Sequence, residues 1–202
     1  ALTTINIPDG VTRIDGHAFS YCYQLTSMTI PASVTAIGDR VFMHTASLTS
    51  FTVALANPNY SSHDGALYDK AVTELIQFPI ASALTSYTVP ATITTLKSFA
   101  FSFNENLTSI TLPDGVTTFE HSAFLYCRGL TSIIIPASVN SIGSYAFYGC
   151  HSLLFVEFSG DEPGVFENSV FDAKMYLYEQ GCDVRSPRFG AANEDDERIM
   201  VL

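Results

Sequence analysis

The 202-residue chain has no tryptophan, four cysteines and only nine lysines and arginines. Those nine cations are scattered and face 20 Asp and Glu, for a net charge of −11. Nucleic-acid binding is excluded on that ground, because neutralising phosphates needs clustered Lys and Arg. Anionic membranes are disfavoured for the same reason. The longest apolar runs, SIIIP at 132–136 and SLLFV at 152–156, fall far short of the roughly 20 residues that a membrane-spanning helix needs, so no segment is expected to insert in a bilayer. The first residues, ALTTINIP, lack the positive and apolar regions of a signal peptide; any targeting segment is expected to have been removed or to lie outside this sequence. HExxH, CxxC, GxSxG and a glycine-rich phosphate loop are missing as well.

What is present is a 47% apolar composition, enough for one sizeable core. The acidity is concentrated at one end. Residues 157–202 hold eleven Asp and Glu against four Lys and Arg, a balance of −7, which leaves −4 for residues 1–156. Before that end the chain repeats itself. Leucines 2, 25 and 48, and again 84, 107, 130 and 153, open segments such as LTSITLPDGVTTFEHSAFLYCRG, and every interval but one is 23 residues. A fixed period in the twenties marks a solenoid, in which no repeat buries its own apolar face and neighbours share a core. LTSITL is read as a short parallel strand with its first, fourth and sixth side chains inward and its third and fifth outward. Proline ends it at Pro8, Pro31, Pro90, Pro113 and Pro136. Further inward rows are Val11/Val34/Ile93/Val116/Val139, Ile14/Ile37/Leu96/Phe119/Ile142, Ala18/Val41/Ala100/Ala123/Ala146 and Phe19/Phe42/Phe101/Phe124/Phe147.

The pattern LTSIxIPxxVxxIGxxAFxxC, which covers roughly residues 1–156, resembles the BspA-like leucine-rich repeat, also called the Treponema pallidum type. The resemblance implies a leucine-rich-repeat solenoid: a right-handed stack of 23-residue repeats with a parallel β-sheet on one face. It also implies an extracellular or cell-surface protein, since members occur on surface and secreted proteins of bacteria and some mucosal protozoa, some binding host matrix proteins or other bacteria. The motif is a scaffold consensus and carries no catalytic residues.

From Leu48 to Leu84 is 36 residues, one period plus 13. GALYD at 65–69 and TELIQFP at 73–79 alternate apolar and polar residues around a short connection, so a β-hairpin insertion is expected at about 54–83. The strand of TELIQFP, followed by proline, is a candidate to join the main ladder. NPNYSSHDGALYDK at 57–70 resembles an insertion that recurs in the family. It reads either as structure, with Asn-Pro and Asp-Gly making turns and Tyr60, Leu67 and Tyr68 packing inward, or as a loop that offers Tyr60, His63 and Asp64 to a partner. A calcium loop from Asn57, Asn59, Ser61 and Asp64 lacks the acidic spacing of an EF-hand. Ser62, His63 and Asp64 have the residue types of a hydrolytic triad, but sequence neighbours rarely form a relay.

The five histidines fall at four repeat positions or in the insertion. Cys22, Cys127 and Cys150 share one repeat position and read as inward core residues; bridging of Cys127 to Cys150 stays open. The sequons Asn59-Tyr60-Ser61 and Asn106-Leu107-Thr108 matter only in a eukaryotic secretory pathway. No metal or other cofactor is expected, and no catalysis.

The outward rows define the candidate surface. Ser50, Thr52, Ser86, Thr88, Ser109 and Thr111 form a nearly uncharged hydroxyl face, which continues into Ile134 and Phe155. Thr also simply suits an exposed strand. Ile134, Leu154 and Phe155 are apolar at outward positions, so either a cap from residues 157–202 covers them or they are a patch for a partner. In that segment FENSVFD at 166–172 echoes IGSYAFY at 142–148 as a degenerate repeat, KMYLYE at 174–179 supplies a last strand, and the acidic remainder is irregular. Residues 2–7 would leave an open edge for upstream repeats or another chain. The function expected is a non-catalytic, adhesin-like binding module that presents the Ser/Thr face to a host extracellular matrix protein or glycan. The alternative is a structural spacer, or a fragment of a larger surface protein, with no ligand of its own.

Overall fold

The computed structural model describes residues 2–160 and 165–171, and no helix occurs among them. Each turn has three sides. The first carries the strands β2 (Ser27–Ile30), β4 (Ser50–Val53), β8 (Ser86–Thr88), β10 (Ser109–Thr111), β12 (Ser132–Ile135) and β14 (Phe155–Phe158). They pair in parallel, with Ser109 opposite Ser86 and Ser132 and with Thr111 opposite Thr88. Inward and outward residues alternate as the sequence predicts: Met28 and Ile30 are buried, Ser27 and Thr29 exposed. The threonine at the second repeat position has its own work. Thr26, Thr49, Thr108 and Thr131 each donate a hydroxyl to the carbonyl 23 residues earlier, at 2.9–3.2 Å.

The second side carries two-residue strands, β1 (Arg13–Ile14), β3 (Ala36–Ile37), β9 (Thr95–Leu96), β11 (Thr118–Phe119), β13 (Ser141–Ile142) and β15 (Val165–Phe166). The third is a tight arc. Two residues per turn there take left-handed backbone angles, in the rows His17, Arg40, Phe99, Ser122, Tyr145 and Tyr21, His44, Phe103, Tyr126, Gly149. Such angles cost a non-glycine residue on the order of 1 kcal/mol. Most of them turn an N–H toward the following repeat, as in His17 to the Asp39 carbonyl (3.1 Å) and Ser122 to the Ser144 carbonyl (2.9 Å), which offsets the cost.

Inside, phenylalanines stack along the axis: Phe101 on Phe124 at 5.3 Å, Phe124 on Phe147 at 4.9 Å and Phe147 on Phe171 at 5.3 Å. Phe171 thus extends the row, and Ile142 lies opposite Phe166, so the degenerate repeat forms in the expected register. Cys127 and Cys150 are buried free thiols that donate to the carbonyls of Phe101 and Phe124, and Cys22 is free as well. Burial pushes the Cys127 thiol up. Thr45 and Asn104 cap a carbonyl from the same repeat position. The expected last strand at 174–179 and the acidic tail lie outside the described residues.

Two strand expectations fail. Residues 2–7 form no strand: Thr26 N–H reaches the Thr3 carbonyl, but Leu2 is 47% exposed and too little is buried to hold a ladder. Leu84, a first-position leucine, is 43% exposed. Ala81, not the Leu84 segment, takes the place above Leu48, donating its N–H to the Leu48 carbonyl (2.9 Å).

The interruption explains that displacement. It is a three-strand antiparallel meander of β5 (Tyr60–His63), β6 (Ala66–Asp69) and β7 (Glu74–Gln77). The hairpin of β6 and β7 is the expected one, whereas β5 is an additional strand. β7 does not enter the main ladder; it joins the short-strand ladder, Leu75 opposite Leu96. The reason is Phe78, whose N–H reaches the Ala100 carbonyl (2.7 Å) and whose ring lies 5.4 Å from Phe101. Once Phe78 sits in the phenylalanine row, the strand before it must lie on the second side.

β6 divides the interior. Leu67 packs with Met28, Ile30, Phe42 and Phe51, while Ala66 and Tyr68 face the opposite way into the core of Tyr87, Phe101 and Phe124. A strand buried on both faces puts alternate side chains into two different cores.

Candidate functional site

The meander also splits the hydroxyl face. β2 and β4 form one ladder, and β8, β10, β12 and β14 another. Between them sits the β5–β6 tip: Phe51 N–H donates to the Gly65 carbonyl (2.8 Å) and Val53 N–H to Ser62 Oγ (3.0 Å). Ser50 and Thr52 therefore lie on one side of the tip, and Ser86, Thr88, Ser109 and Thr111 on the other. A Cβ at Gly65 would stand 3.4 Å from that of Ser50. The exposed His63 and Asp64, the latter left-handed with φ 49°, are thus set into the Ser/Thr face instead of projecting from a separate loop. At the far end Ile134 is 55% and Phe155 56% exposed, beside Leu154.

Tyr60 is not with them. Its hydroxyl accepts the Ile37 N–H (2.9 Å), 23 residues earlier, so it fills the place of a short-strand residue at the other end of β5. Ser62 is half-buried and bonded to Val53, on the opposite face of β5 from His63, which breaks up the triad types. Three of the four side chains of the calcium reading are hydrogen-bonded elsewhere. Asn57, fully buried, donates to the carbonyls of Pro31 (2.7 Å) and Val34 (2.9 Å) and accepts the N–H groups of Asn59 and Tyr60 (2.9 Å each). Ser61 donates to the Asp69 carbonyl, and Asn59 to that of Thr35. Among the described residues no group of three His, Cys, Asp or Glu is placed to hold a metal.

A second feature was missed by sequence reasoning. Three residue steps separate Leu75 from Phe78, where five separate the equivalent Leu96 from Phe101. The third turn lacks both left-handed bends of the arc. Gln77, buried at a row otherwise held by Ala or Val, stands in for the missing donors, with Nε2 at 3.1, 3.2 and 3.4 Å from the carbonyls of Phe78, Phe99 and Ala100. Above β7 a notch opens. It comprises a cavity of about 170 Å³ lined by Tyr60, Glu74, Gln77, Lys97 and Glu120, and an open groove of about 640 Å³; both are bordered by Asp39, Arg40 and Ser98. Two contacts bridge it: the Arg40 guanidinium lies 5.1 Å from the Phe99 ring centre, and His44 lies 4.3 Å from Phe103. Burial alone would lower the Lys97 ammonium, but its bond to Glu120, with Glu74 and Asp39 nearby, raises it on balance. Aligning on Phe78 and Phe101 instead of on the leucines would have revealed the shortened arc.

Turns of parallel strand stacked around an apolar interior, with a proline after the strand and a phenylalanine row inside, define a leucine-rich-repeat solenoid. Six copies of the BspA type leucine rich repeat region match residues 1–68 and 76–177, leaving out residues 69–75 from the end of β6 to the first half of β7, and the chain belongs to that family. A leucine-rich repeat protein from Eubacterium ventriosum is similar at 34% identity and TM-score 0.72, over 79% of this chain and 42% of its own. The pneumococcal vaccine antigen PcpA is similar at 26% identity and TM-score 0.62, over 74% and 42%. A leucine rich cell surface protein from Faecalibacterium prausnitzii is similar at 25% identity and TM-score 0.59, over 77% and 53%. The chain thus spans about half, or less, of the length of these proteins. No protein of curated function matches it.

Proposed function

We propose that the chain is a non-catalytic, adhesin-like binding module of a bacterial cell surface that presents its Ser/Thr face to a host extracellular matrix protein or glycan. The observation that carries this reading is the placement of the tip. Short hydroxyls and few charges make the face wettable and low in side-chain entropy, and His63 and Asp64 stand in its middle as the groups able to discriminate a partner. The apolar end at Ile134 and Phe155 supplies area that a partner can desolvate. Membership of a repeat family with a cell-surface relative supports the location.

Thr88→Arg with Thr111→Arg tests it. Both side chains are outward and exposed, so the fold tolerates them. In a screen against immobilised matrix proteins and glycans at physiological salt, a saturable partner of the wild type is expected to be lost in the double variant. Unchanged binding moves the site off the sheet, and silence of the wild type across both panels favours a spacer.

A further inference from the structure

We propose that the notch left by the shortened third turn is a second binding site, for a carboxylate-bearing sugar such as a uronic or sialic acid residue. It does not rest on the sheet-face reading. Of the five Lys and Arg among the described residues, Arg13, Arg40 and Lys97 line the notch; Asp69, Glu74 and Glu120 line its smaller cavity beside Lys97, while Asp39 is the one carboxylate that lines the open groove with Arg13 and Arg40. Two of these are matched: Arg13 pairs with Asp15, and Lys97 with Glu120. Arg40 has no carboxylate partner among the described residues. Its guanidinium instead lies over the Phe99 ring, which holds the fork in place and leaves its N–H groups for a ligand. A planar guanidinium fixed in this way suits the bidentate recognition of a carboxylate.

The surroundings ask for more than a bare anion. Asp39 accepts hydrogen bonds, and the Ser98 hydroxyl, already bonded to Glu120, has lone pairs to offer. His17 and His121 line the same groove and can serve sugar hydroxyls as donor or acceptor. At about 640 Å³ the groove has the size of a small-molecule site and accommodates a mono- or disaccharide. Among the described residues the shortened arc occurs once, in the third turn. Gly16 and Gly38 let the two preceding turns pack closely, a Cβ at Gly38 falling 2.5 Å from the Gly16 nitrogen, so no comparable opening forms between them.

Trigalacturonic acid and sialyllactose are the acidic probes, with galactotriose and lactose as their neutral counterparts; titration is followed by calorimetry and by amide shifts of the intact chain. At least one acidic probe is expected to bind saturably, at least tenfold more tightly than its neutral counterpart, with shifts centred on Arg40, Ser98, Phe99 and His121. Which acidic probe binds separates the uronic from the sialic source. Arg40→Lys should weaken binding about tenfold by losing the bidentate geometry, and Arg40→Gln should abolish it. Thr88→Arg with Thr111→Arg should leave it intact. If Arg40→Gln perturbs the fold, the shift map of the wild type still decides. Equal binding of acidic and neutral sugars, shifts elsewhere, or no binding of either acid at millimolar concentration overturns the proposal.

Discussion

The turns before and after residues 57–83 obey the same rules, yet they do not share a core. In the later block, every row from Tyr87 to Val156 is backed by a like residue 23 positions away, and 26 of its buried side chains form one cluster with Ala66, Tyr68, Leu75 and Phe78 of the interruption. In the earlier block eleven do so, together with Leu67, and the boundary between the two runs through a single strand, β6. Regular turns are thus held by repetition, so that the loss of one member is shared by its neighbours. The interruption is held by residues that occur once. Mutating matched positions in the two regions tests that difference.

The largest contrast is expected at two asparagines. Asn57 satisfies two carbonyls and two N–H groups in a fully buried site, whereas Asn104 caps one carbonyl in a regular turn. Asn57→Ala should cost about 4 kcal/mol and Asn104→Ala about 1.5 kcal/mol in urea unfolding, because each buried polar group left without a partner costs roughly 1–3 kcal/mol. Equal losses would show that the interruption is no more fragile than the repeats. For the same reason, replacing residues 59–64 with a Gly/Ser loop, harmless if the segment were a decoration, should unfold the earlier block, since β5 and the Tyr60 hydroxyl belong to its wall.

Next comes Leu67→Ala, at about 3 kcal/mol for a buried leucine. Its direction is the sharper readout. Because Leu67 faces the Met28 and Phe51 core, amide-exchange protection should fall first in residues 28–53 and later, or not at all, in residues 107–147. A uniform loss would mean that the two cores unfold as one.

Smaller again is the effect at Tyr68 and Tyr87, whose hydroxyls bond across the boundary of β6 and β8. Tyr68→Phe should cost about 1 kcal/mol by leaving Tyr87 unpaired, and Tyr68→Phe with Tyr87→Phe should cost less than twice that, because removing both polar groups leaves neither unsatisfied. Burial raises both phenols above their ordinary 10.0. The folded protein therefore keeps protons that the unfolded chain releases from pH 10 upward, and stability should fall there with rising pH. The double variant should flatten that fall in urea titrations between pH 9 and 11; an unchanged slope would assign it to other groups.

How much of this the sequence displayed depends on whether a residue recurs. The strand rows, the prolines and the phenylalanine stack each appear several times, and a period is visible because every turn solves the same packing problem. His63 and Asp64 were legible as candidates, since Asp-Gly marks a tip, but their insertion between two ladders was not, because it depends on where the β4 hydrogen bonds go. Tyr60 stood open between packing on the solenoid and meeting a partner, and its hydroxyl and ring follow the first. Nothing local distinguishes a tyrosine that packs against a partner from one whose hydroxyl replaces a backbone acceptor. Gln77 and the notch were hidden by counting from leucines: Leu48 and Leu84 measure the length of the interruption but not which side of the turn was shortened.

The last contrast concerns the contacts that rejoin what the interruption separates. His44 lies between Tyr21, at 4.9 Å and on its own block, and Phe103, at 4.3 Å and across the notch. Burial lowers its imidazole from the ordinary 6.5. The folded state therefore holds His44 neutral at a pH where the unfolded chain has begun to take up the proton. Its contribution is complete above pH 6.5 and declines as the pH falls through the folded value. His44→Phe keeps an aromatic ring between the two neighbours and removes the titration. The wild type should lose more stability than His44→Phe between pH 7.5 and 5.5, read as the shift in urea midpoint, and the difference should be small because the ring is only partly covered. If both proteins lose the same amount, His44 is not a joint whose protonation loosens the two blocks, and the Arg40–Phe99 contact is left as the bridge that matters.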